Sequence, residues 1–412
     1  MDPMLGNGRE TGAPTASATS PPLLAVGLIS FRAQPQYGLT VDPASFAYDY
    51  QDTTQPNGHS QLRAVKSSTY THDHVIINRA ARLVSTGHVV GFPTETVYGL
   101  AANALDPCAV SKIFIAKNRP PDNPLIVHIS SLAMLYTHIL PPGTKLPSSY
   151  EKAIEAHWPG PLTILLPKSP AIPNEVVANQ PTVGVRFPSH PVARALIEAC
   201  GFPVAAPSAN TSGRPSPTLA CHVFADLDGR IPLVIDGGPC LSGVESTVLD
   251  GLSCPPAILR PGGVTYEELR GLKGMEGLRV HGRDFRDEML ESAPTTPGMK
   301  YRHYTPDCQV VLIEHSEDMD EKMSSVISSL RNMLQTIGIL RTRNHVIQKP
   351  RVDIEEYHLG STPNQVAHQL FKGLRELESR GVSVILVEGI SDTDEGLAVM
   401  NRVRKAASRI IA

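Results

Sequence analysis

The order of apolar and polar residues along the chain changes at about residue 71. The first 70 residues are rich in Pro, Ser, Thr, Ala, Gly and Gln and keep no sustained period of two or of 3.6 residues. Such a segment buries too little apolar surface to offset the entropy lost on ordering, so we predict a mostly disordered N-terminal tail over residues 1–70. Beyond it, apolar residues recur at the spacing of helices and strands.

Residues 71–270 have the pattern of an α/β domain. A helix is predicted over residues 74–85, with Gly87 as its stop, and a strand follows at 88–92. Further short apolar runs interleave with helix-like runs, which is typical of one twisted, mixed sheet with helices packed on it. The other predicted strands are residues 125–129, 163–166, 183–187, 204–206, 233–235 and 247–249, and the other predicted helices are residues 110–116, 148–157 and 192–199.

A segment rich in Gly, Pro and charge separates this domain from the rest of the chain. Thr265 and Glu268 have the spacing of a capping box and predict one short helix before it. Residues 271–306 then lack an apolar period, so we interpret them as a linker. The linker ends in a motif at 297–306 that is dense in aromatic, imidazole and cationic side chains. That density predicts a role at the functional site.

Residues 307–412 alternate strand-like and helix-like runs. Strand–helix alternation implies a mostly parallel sheet, so we predict a smaller C-terminal α/β domain. The predicted strands are residues 308–313, 345–348 and 382–387, and the predicted helices are residues 319–335, 364–379 and 396–411.

Composition bounds the kind of protein. A length of 412 residues suits two domains with tails, and 41% apolar with 19% charged residues is ordinary for a globular protein. The 37 prolines and 32 glycines predict many turns. A net charge of −3 gives no overall attraction to nucleic acid, and leaves room only for weak tRNA contact through a local basic cleft.

Cysteine spacing and hydropathy predict the surroundings of the protein. The six cysteines show neither C-x-x-C pairing nor the spacing of a zinc site, so we expect no metal bound by them and reduced thiols in an intracellular protein. No apolar run approaches the roughly 18 residues of a spanning helix, so no membrane partner is expected. The apolar patch at residues 23–29 follows Asp2 and Glu10 and lacks the basic start of a signal peptide. We expect a cytoplasmic protein and leave a mitochondrial pool open.

Short polar and glycine-containing motifs, each attached to an apolar run, mark the candidate site. Basic side chains, hydroxyls and tight turns recur in them, which suits a small anionic ligand. The chain lacks the glycine loops of nucleotide-binding folds, a Ser–His–Asp order and paired carboxylates. Catalysis by positioning and charge neutralisation therefore fits the motifs better, and it is typical of nucleotidyl and phosphoryl transfer. The motifs lie at residues 91–100, 117–125, 158–163, 183–188, 206–210 running into 212–217, and 243–247 with 259–262.

Three positions in these motifs stand out. Lys117 and Arg119 precede prolines that favour an extended chain, in which both cations point the same way and converge on one anion. Arg186 interrupts an apolar strand, where a guanidinium needs a negative partner: either a ligand or an internal carboxylate. Ser208 and Asn210 follow a strand directly, where α/β sheets hold ligands, although the same residues suit a plain turn.

Together these motifs resemble the threonylcarbamoyl-AMP synthase family, the YrdC-like enzymes, over about residues 71–306. Residues 307–412 resemble the additional C-terminal domain of that family's longer branch. The resemblance implies that L-threonine, bicarbonate (as CO2) and ATP give threonylcarbamoyl-adenylate and pyrophosphate, with Mg2+ assisting. The product would pass to a downstream threonylcarbamoyl transferase complex, for N6-threonylcarbamoyladenosine in tRNAs that read codons beginning with A.

The resemblance also implies roles for particular residues. Lys117 and Arg119 would be catalytic, Arg186 would grip the carboxylate of threonine, and Tyr301 of the linker would close over the site as a lid. The threonine pocket would be lined by Thr94, Thr96, His128, Arg186, Ala206 and Ser246, and ATP would be held by Lys117, Arg119, Asn123, Thr182, Ser208, Asn210, Ser216, Arg260 and Tyr301.

Two other classes of protein stay open at this point. A double-stranded RNA or tRNA-binding module without catalysis would show a gel shift with a steep dependence on salt. A carbamoyl-transfer accessory domain of the hydrogenase-maturation type would share the fold but bring acylphosphatase and zinc-finger segments, which this sequence lacks.

Overall fold

The structure is a computed structural model, and it describes residues 39–46, 49–54, 60–65, 72–286, 294–297, 303–331, 336–343 and 354–412. Within these ranges, no helix has the length and apolar character needed to cross a membrane. The strands are β1 Leu39–Thr40, β2 Asp49–Thr54, β3 Ser60–Val65, β4 Val90–Phe92, β5 Gly99–Asn103, β6 Ile126–His128, β7 Leu162–Pro167, β8 Thr182–Arg186, β9 Val204–Ala205, β10 Ile235–Asp236, β11 Thr247–Asp250, β12 Ala257–Arg260, β13 Arg279–Val280, β14 Gln309–Ile313, β15 Ile337–Arg341, β16 Ile354–His358, β17 Val384–Glu388 and β18 Arg409–Ile411.

The helices fall between these strands. Two short 3-10 segments, Pro43–Phe46 and Ser148–Tyr150, and a π-helical turn, Leu135–Ile139, accompany them. The α-helices are α1 His72–Ser85, α2 Pro107–Lys117, α3 Leu132–Met134, α4 Glu151–His157, α5 Asn174–Val177, α6 Pro191–Cys200, α7 Ala220–Leu227, α8 Tyr266–Arg270, α9 Met319–Arg331, α10 Pro363–Ser379 and α11 Glu395–Ala406.

The first domain is built on one mixed sheet, as the sequence predicts. Its nine strands run in the order β13-β12-β11-β7-β8-β6-β9-β5-β4. Strand β8 pairs parallel with β6 and antiparallel with β7, so both senses meet at the centre of the sheet. The capping box predicted at Thr265 and Glu268 is confirmed at the start of α8. One face of α1 is buried in this core through Ile76, Ile77, Ala80, Ala81 and Val84.

Part of the segment predicted as a disordered tail has regular structure. Strand β1 pairs parallel with β10, and Val41, only 2% exposed, enters the core beside it. Strands β2 and β3 form an antiparallel pair. Neither feature was predicted, because two-residue and polar strands carry no sustained apolar period.

The second domain has an all-parallel sheet, in agreement with the strand–helix alternation. Its five strands run in the order β16-β15-β17-β14-β18. The helix predicted over residues 396–411 is wrong in its last part, because α11 ends at Ala406 and β18 pairs with β14. Strands β15 and β16 were not predicted, and the strand predicted at 345–348 lies outside the described residues, as do residues 332–335 of the predicted helix before it.

The two domains approach closely at Gly243. This residue has φ of 74°, and a β-carbon on it would lie 2.4 Å from Cα of His368 and 2.5 Å from the carbonyl oxygen of Ala367, both in α10. His368 Nδ1 lies 2.8 Å from the carbonyl oxygen of Leu241, so the loop and the helix are also joined by a hydrogen bond. The absence of a side chain at Gly243 therefore permits the contact between the domains.

We expect Gly243→Ala to lower the free energy of unfolding by more than about 2 kcal/mol, since backbone strain and steric overlap add. Gly213→Ala is the matched control: its φ is 89°, but no atom lies within 4 Å of the added carbon. Gly213→Ala should lower the free energy of unfolding less, because only backbone strain contributes. Urea denaturation of both variants measures the difference, and equal losses would contradict the close contact.

Candidate active site

A cavity of about 550 Å³, part of it open to solvent, lies against the centre of the mixed sheet. All six residues predicted for threonine line it, and so do three of those predicted for ATP. These nine are Thr94, Thr96, His128, Arg186, Ala206, Ser246, Arg119, Ser208 and Arg260.

Of the other residues predicted for ATP, the five that the structure describes do not line this cavity directly. Tyr301, the predicted lid, lies outside the described residues, as do its neighbours at 298–302. The linker does reach the cavity through Pro297, His303 and Tyr304. The remaining five are Lys117, Asn123, Thr182, Asn210 and Ser216.

Two lining residues of the cavity floor, Arg186 and His128, belong to a row of paired residues on three neighbouring strands. Arg186 of β8 is the register partner of His128 on β6 and of Thr163 on β7. Register partners place their side chains on the same face of a sheet. The guanidinium, the imidazole and a hydroxyl are therefore adjacent because of strand order, although they are far apart in sequence.

Arg186 has an internal carboxylate partner as well as a place in the cavity. Its Nη2 lies 2.6 Å from Oε1 of Glu95, and both side chains are buried. Burial alone would raise the pKa of Glu95, but the charge and hydrogen bond of Arg186 outweigh it and lower that pKa. The sequence left open whether Arg186 pairs with a ligand or with an internal carboxylate. Its position, in the cavity and beside Glu95, is compatible with both. Glu95, between the predicted Thr94 and Thr96, was missed.

His128 is held in its neutral form. Burial, followed by the charge of Arg186, lowers its pKa to about 3. Nδ1 lies 3.2 Å from the carbonyl oxygen of Ile126, so the neutral ring donates from Nδ1 and keeps Nε2 as an acceptor. An acceptor beside a cation suits a ligand that carries both an amine and a carboxylate.

The low pKa of His128 makes stability depend on pH. The unfolded chain, with the ordinary pKa of 6.5, binds more protons than the folded chain between that pH and about 3. The contribution of His128 to stability is therefore complete above pH 6.5 and is lost as the pH falls through this window. His128→Asn keeps a donor for Ile126 but does not titrate. We expect it to reduce the slope of unfolding free energy against pH by up to about 1.4 kcal/mol per pH unit. Urea unfolding between about pH 6 and pH 4.5, in the upper part of this window, measures the slope. Equal slopes in the variant and the wild type would contradict the prediction.

Hydroxyl groups of Thr94, Thr96 and Ser246 form part of the cavity wall. Thr94 Oγ1 lies 2.9 Å from Thr96 Oγ1 and donates to the carbonyl of Val97 at 2.6 Å. Ser246 Oγ lies 2.7 Å from Thr163 Oγ1 and accepts from Arg260 Nη2 at 3.1 Å. These bonds fix the hydroxyls in place before any ligand arrives.

The end of α2 places the two predicted catalytic cations. Asp106 caps its start by accepting from Cys108 N, and Asn118 ends it in the left-handed conformation with φ of 50°. Lys117 is therefore the last helical residue, and the extended chain predicted at 117–119 is wrong. The physical reason is that the prolines restrict only Arg119, which directly precedes them.

Lys117 and Arg119 consequently point to different places. Lys117 Nζ donates to the carbonyls of Ser208 and Asn210, the latter at 2.6 Å, and burial lowers its pKa well below the ordinary value. Arg119 lines the cavity, and its Nη2 donates to the carbonyl of Asn123 at 3.1 Å. Lys117 thus holds the loop that carries Ser208, and Arg119 faces the cavity.

Some buried polar atoms of the described residues have no protein partner, and three of them belong to predicted site residues. They are Arg119 Nε, Asn123 Oδ1 and Thr182 Oγ1. Unpartnered buried polar groups are costly and are expected to bind water or a ligand. All three belong to residues predicted for ATP.

Glu245 was not predicted as a site residue, although it lies in one of the motifs. It lines the cavity, and its Oε1 accepts from Ser216 Oγ at 2.6 Å. Burial would raise its pKa, but Arg402 and Arg260 outweigh that and lower it to about 2. Arg402 belongs to α11 of the second domain, and no local pattern could have predicted it. Tyr304, also missed, is 2% exposed beside it.

The fold and cavity define a two-domain α/β protein with a pocket for a small polar ligand. Residues 82–262 match a domain family described as "Telomere recombination", and residues 264–408 match "Threonylcarbamoyl-AMP synthase, C-terminal domain". A threonylcarbamoyl-AMP synthase from Schizosaccharomyces pombe is 42% identical over 391 residues, which cover 88% of this chain and 95% of that protein.

Another threonylcarbamoyl-AMP synthase, from Pyrococcus abyssi, is 44% identical over 338 residues, covering 81% of this chain and 95% of that protein. The crystal structure of P. abyssi Sua5 complexed with L-threonine superimposes with a TM-score of 0.75 at 42% identity, covering 83% of this chain and 97% of that one. This chain therefore belongs to the threonylcarbamoyl-AMP synthase family, and it has both domains of the longer form.

Proposed function

We propose that this protein is an L-threonylcarbamoyladenylate synthase, a nucleotidyltransferase that makes threonylcarbamoyl-AMP and pyrophosphate from L-threonine, bicarbonate and ATP. The observation that carries the proposal is the composition of the cavity. Arg186 and His128, a cation and a neutral acceptor, lie on its floor, and Arg119 and Arg260 also line it. The first pair suits an amino acid, and the second pair suits a polyphosphate.

The proposed reaction needs no protein nucleophile. The amine nitrogen of threonine adds to CO2 and releases a proton, which gives a carbamate. A carbamate oxygen then attacks the α-phosphorus of ATP, and the bond from that phosphorus to the bridging oxygen of pyrophosphate breaks. Arg119 and Arg260 neutralise charge on the phosphates as the bond breaks, where preorganised charges are most effective.

We propose that Mg2+ enters the site with ATP. Among the described residues, no group of three or more His, Cys, Asp or Glu is placed to hold a metal ion. That fits an ion held mainly by phosphate oxygens and water, as Mg2+ commonly is with nucleotides. Bound there, the ion would supply further neutralisation of the leaving pyrophosphate, and Ser208 lies where the phosphates are proposed to bind.

The proposed product is a mixed anhydride with adenylate as a good leaving group. It would be consumed by transfer of the threonylcarbamoyl group to the N6 amine of adenosine in tRNAs that read codons beginning with A, through a downstream transferase. Transfer to that amine breaks the anhydride bond and releases AMP.

A coupled assay of pyrophosphate release tests the proposal. We expect release from ATP that requires both L-threonine and bicarbonate, and that is lost when Mg2+ is chelated. Chromatography of the reaction should show threonylcarbamoyl-AMP. The proposed function would be overturned if pyrophosphate release did not depend on threonine, or if the folded protein released no pyrophosphate.

A further inference from the structure

Arg402 of the second domain is fully buried against the first domain. It lies in α11 with 0% of its surface exposed. Nε donates to Oε2 of Glu245 at 3.0 Å, and Nη1 donates to the carbonyl of Pro261. Its guanidinium also stands 5.8 Å from the centre of the Tyr304 ring. A buried guanidinium of the second domain thus pairs with a residue of the cavity wall, Glu245.

Glu245 links Arg402 to residues that are proposed to bind ATP. Its other oxygen, Oε1, accepts from Ser216 at 2.6 Å. Arg260, whose charge also acts on Glu245, donates to the carbonyl of Ser246 at 2.8 Å and to that of Pro297 at 3.2 Å. One carboxylate therefore connects the second domain with Ser216 and lies in the field of Arg260.

A carboxylate in a polyphosphate site would repel the ligand unless a cation neutralised it. Arg402 neutralises Glu245 from behind the cavity, so Arg260 keeps its bonds to Ser246 and Pro297. Without Arg402, the uncompensated carboxylate would draw Arg260 toward itself and repel the phosphates. Both effects weaken ATP binding, whereas Arg186, which is proposed for threonine, pairs with a different carboxylate, Glu95.

Other ion pairs hold the domains together, so this role is distinct from docking. Arg375 of α10 pairs with Asp226 at 2.8 Å, and Arg214 pairs with Glu378 at 2.6 Å. None of these four side chains lines the cavity. Arg402 differs from them because its partner faces the ligand.

We infer that Arg402 is a positioning residue of the ATP site, supplied by the second domain and acting through Glu245. The inference rests on the proposed function, since it assumes that ATP binds in this cavity. It makes the second domain a part of the nucleotide site.

Direct binding of a non-hydrolysable ATP analogue to the full chain tests the inference. We expect Arg402→Met to raise the Kd of the analogue about tenfold or more, as when one partner of a buried charge pair is removed. The Kd of threonine, measured without nucleotide, should change less than the Kd of the analogue, because Arg186 keeps its own carboxylate partner, Glu95. In turnover, the KM for ATP should rise more than the KM for threonine.

Arg404→Met is the matched control on the same helix. Arg404 pairs with Glu314 at 2.8 Å and Asp392 at 2.7 Å inside the second domain and does not line the cavity. It should leave the affinity for the analogue unchanged. Equal losses in the two variants, or an unchanged affinity in folded Arg402→Met, would overturn the inference.

A double variant separates positioning through Glu245 from other effects. Arg402→Met with Glu245→Gln leaves no buried unpaired charge, so it also covers the case in which the single variant does not fold. We expect its affinity for the analogue to match that of Glu245→Gln alone; a further tenfold loss, about the size of the single-variant effect, would show that Arg402 acts independently. Wild-type protein that binds the analogue but forms no adenylate would contradict the proposed function and leave this comparison intact.

Discussion

Replacing Lys117 and Arg119 together by alanine is expected to reduce adenylate formation about a thousandfold or more, the loss seen when preorganised charges at a phosphoryl group are removed. The two residues contribute differently. Arg119 faces the cavity, whereas Lys117 is 2% exposed and donates to the carbonyls of Ser208 and Asn210. The single variants should therefore fail for different reasons: Arg119→Ala in neutralising charge, and Lys117→Ala in ordering the loop.

Lys112→Ala is the control for this experiment. Lys112 lies on the same helix, but its Nζ donates to the carbonyl of Gly87 at 2.6 Å and it does not line the cavity. Pyrophosphate release and circular dichroism should both be those of the wild type. Near-normal release by the Lys117 and Arg119 double variant would remove these residues from the ATP site.

Arg186→Ala is expected to weaken threonine binding by about 2–5 kcal/mol, the usual loss when one partner of a buried charge pair is truncated. By the relation between free energy and affinity, this is roughly 30-fold or more in Kd. The variant also strands Glu95 without its 2.6 Å partner, so lower stability will accompany the loss. Titration calorimetry with L-threonine measures the affinity.

Two further variants separate binding from stability. Arg186→Met combined with Glu95→Gln has no stranded charge, so it should fold and still fail to bind threonine. Arg194→Met removes another buried guanidinium, which stands over the ring of Phe187 and does not line the cavity. It should keep the wild-type affinity. Normal threonine binding by the double variant would leave Arg186 with a purely internal role.

The residues predicted for threonine lie together because of where their motifs fall. Each follows or ends an apolar run, and neighbouring strands of one sheet bring such positions side by side. The register pair of His128 and Arg186 is an example. A sequence pattern therefore locates the site once the fold family is recognised.

Partners set by strand order and domain docking could not be predicted in this way. Glu95 lies 91 residues from Arg186, and Glu245 lies 157 residues from Arg402. Neither distance leaves a periodic signal in the chain. The buried charges near the cavity are compensated by such distant partners, so the sequence indicated the cations and missed the carboxylates.

Local errors have local causes. The helix cap at Asn118 overrode the extended conformation expected near the prolines. Strand β16 lies at an edge and mixes partly buried with exposed residues, most of them polar, so it lacks the apolar run of a central strand. Strand β18 follows α11 after two residues, too few to break an apolar pattern that resembles a continuing helix.

The apolar core of the second domain includes two valines of the first. Val97 and Val244 cluster with Leu370 and Phe371 of α10, and each is the chain neighbour of a cavity residue, Thr96 and Glu245 respectively. Loosening α10 would thus release the wall of the cavity at the same moment. Heat or denaturant should therefore abolish ligand binding and unfold the second domain in a single transition. The site is then formed only while the two domains are in contact.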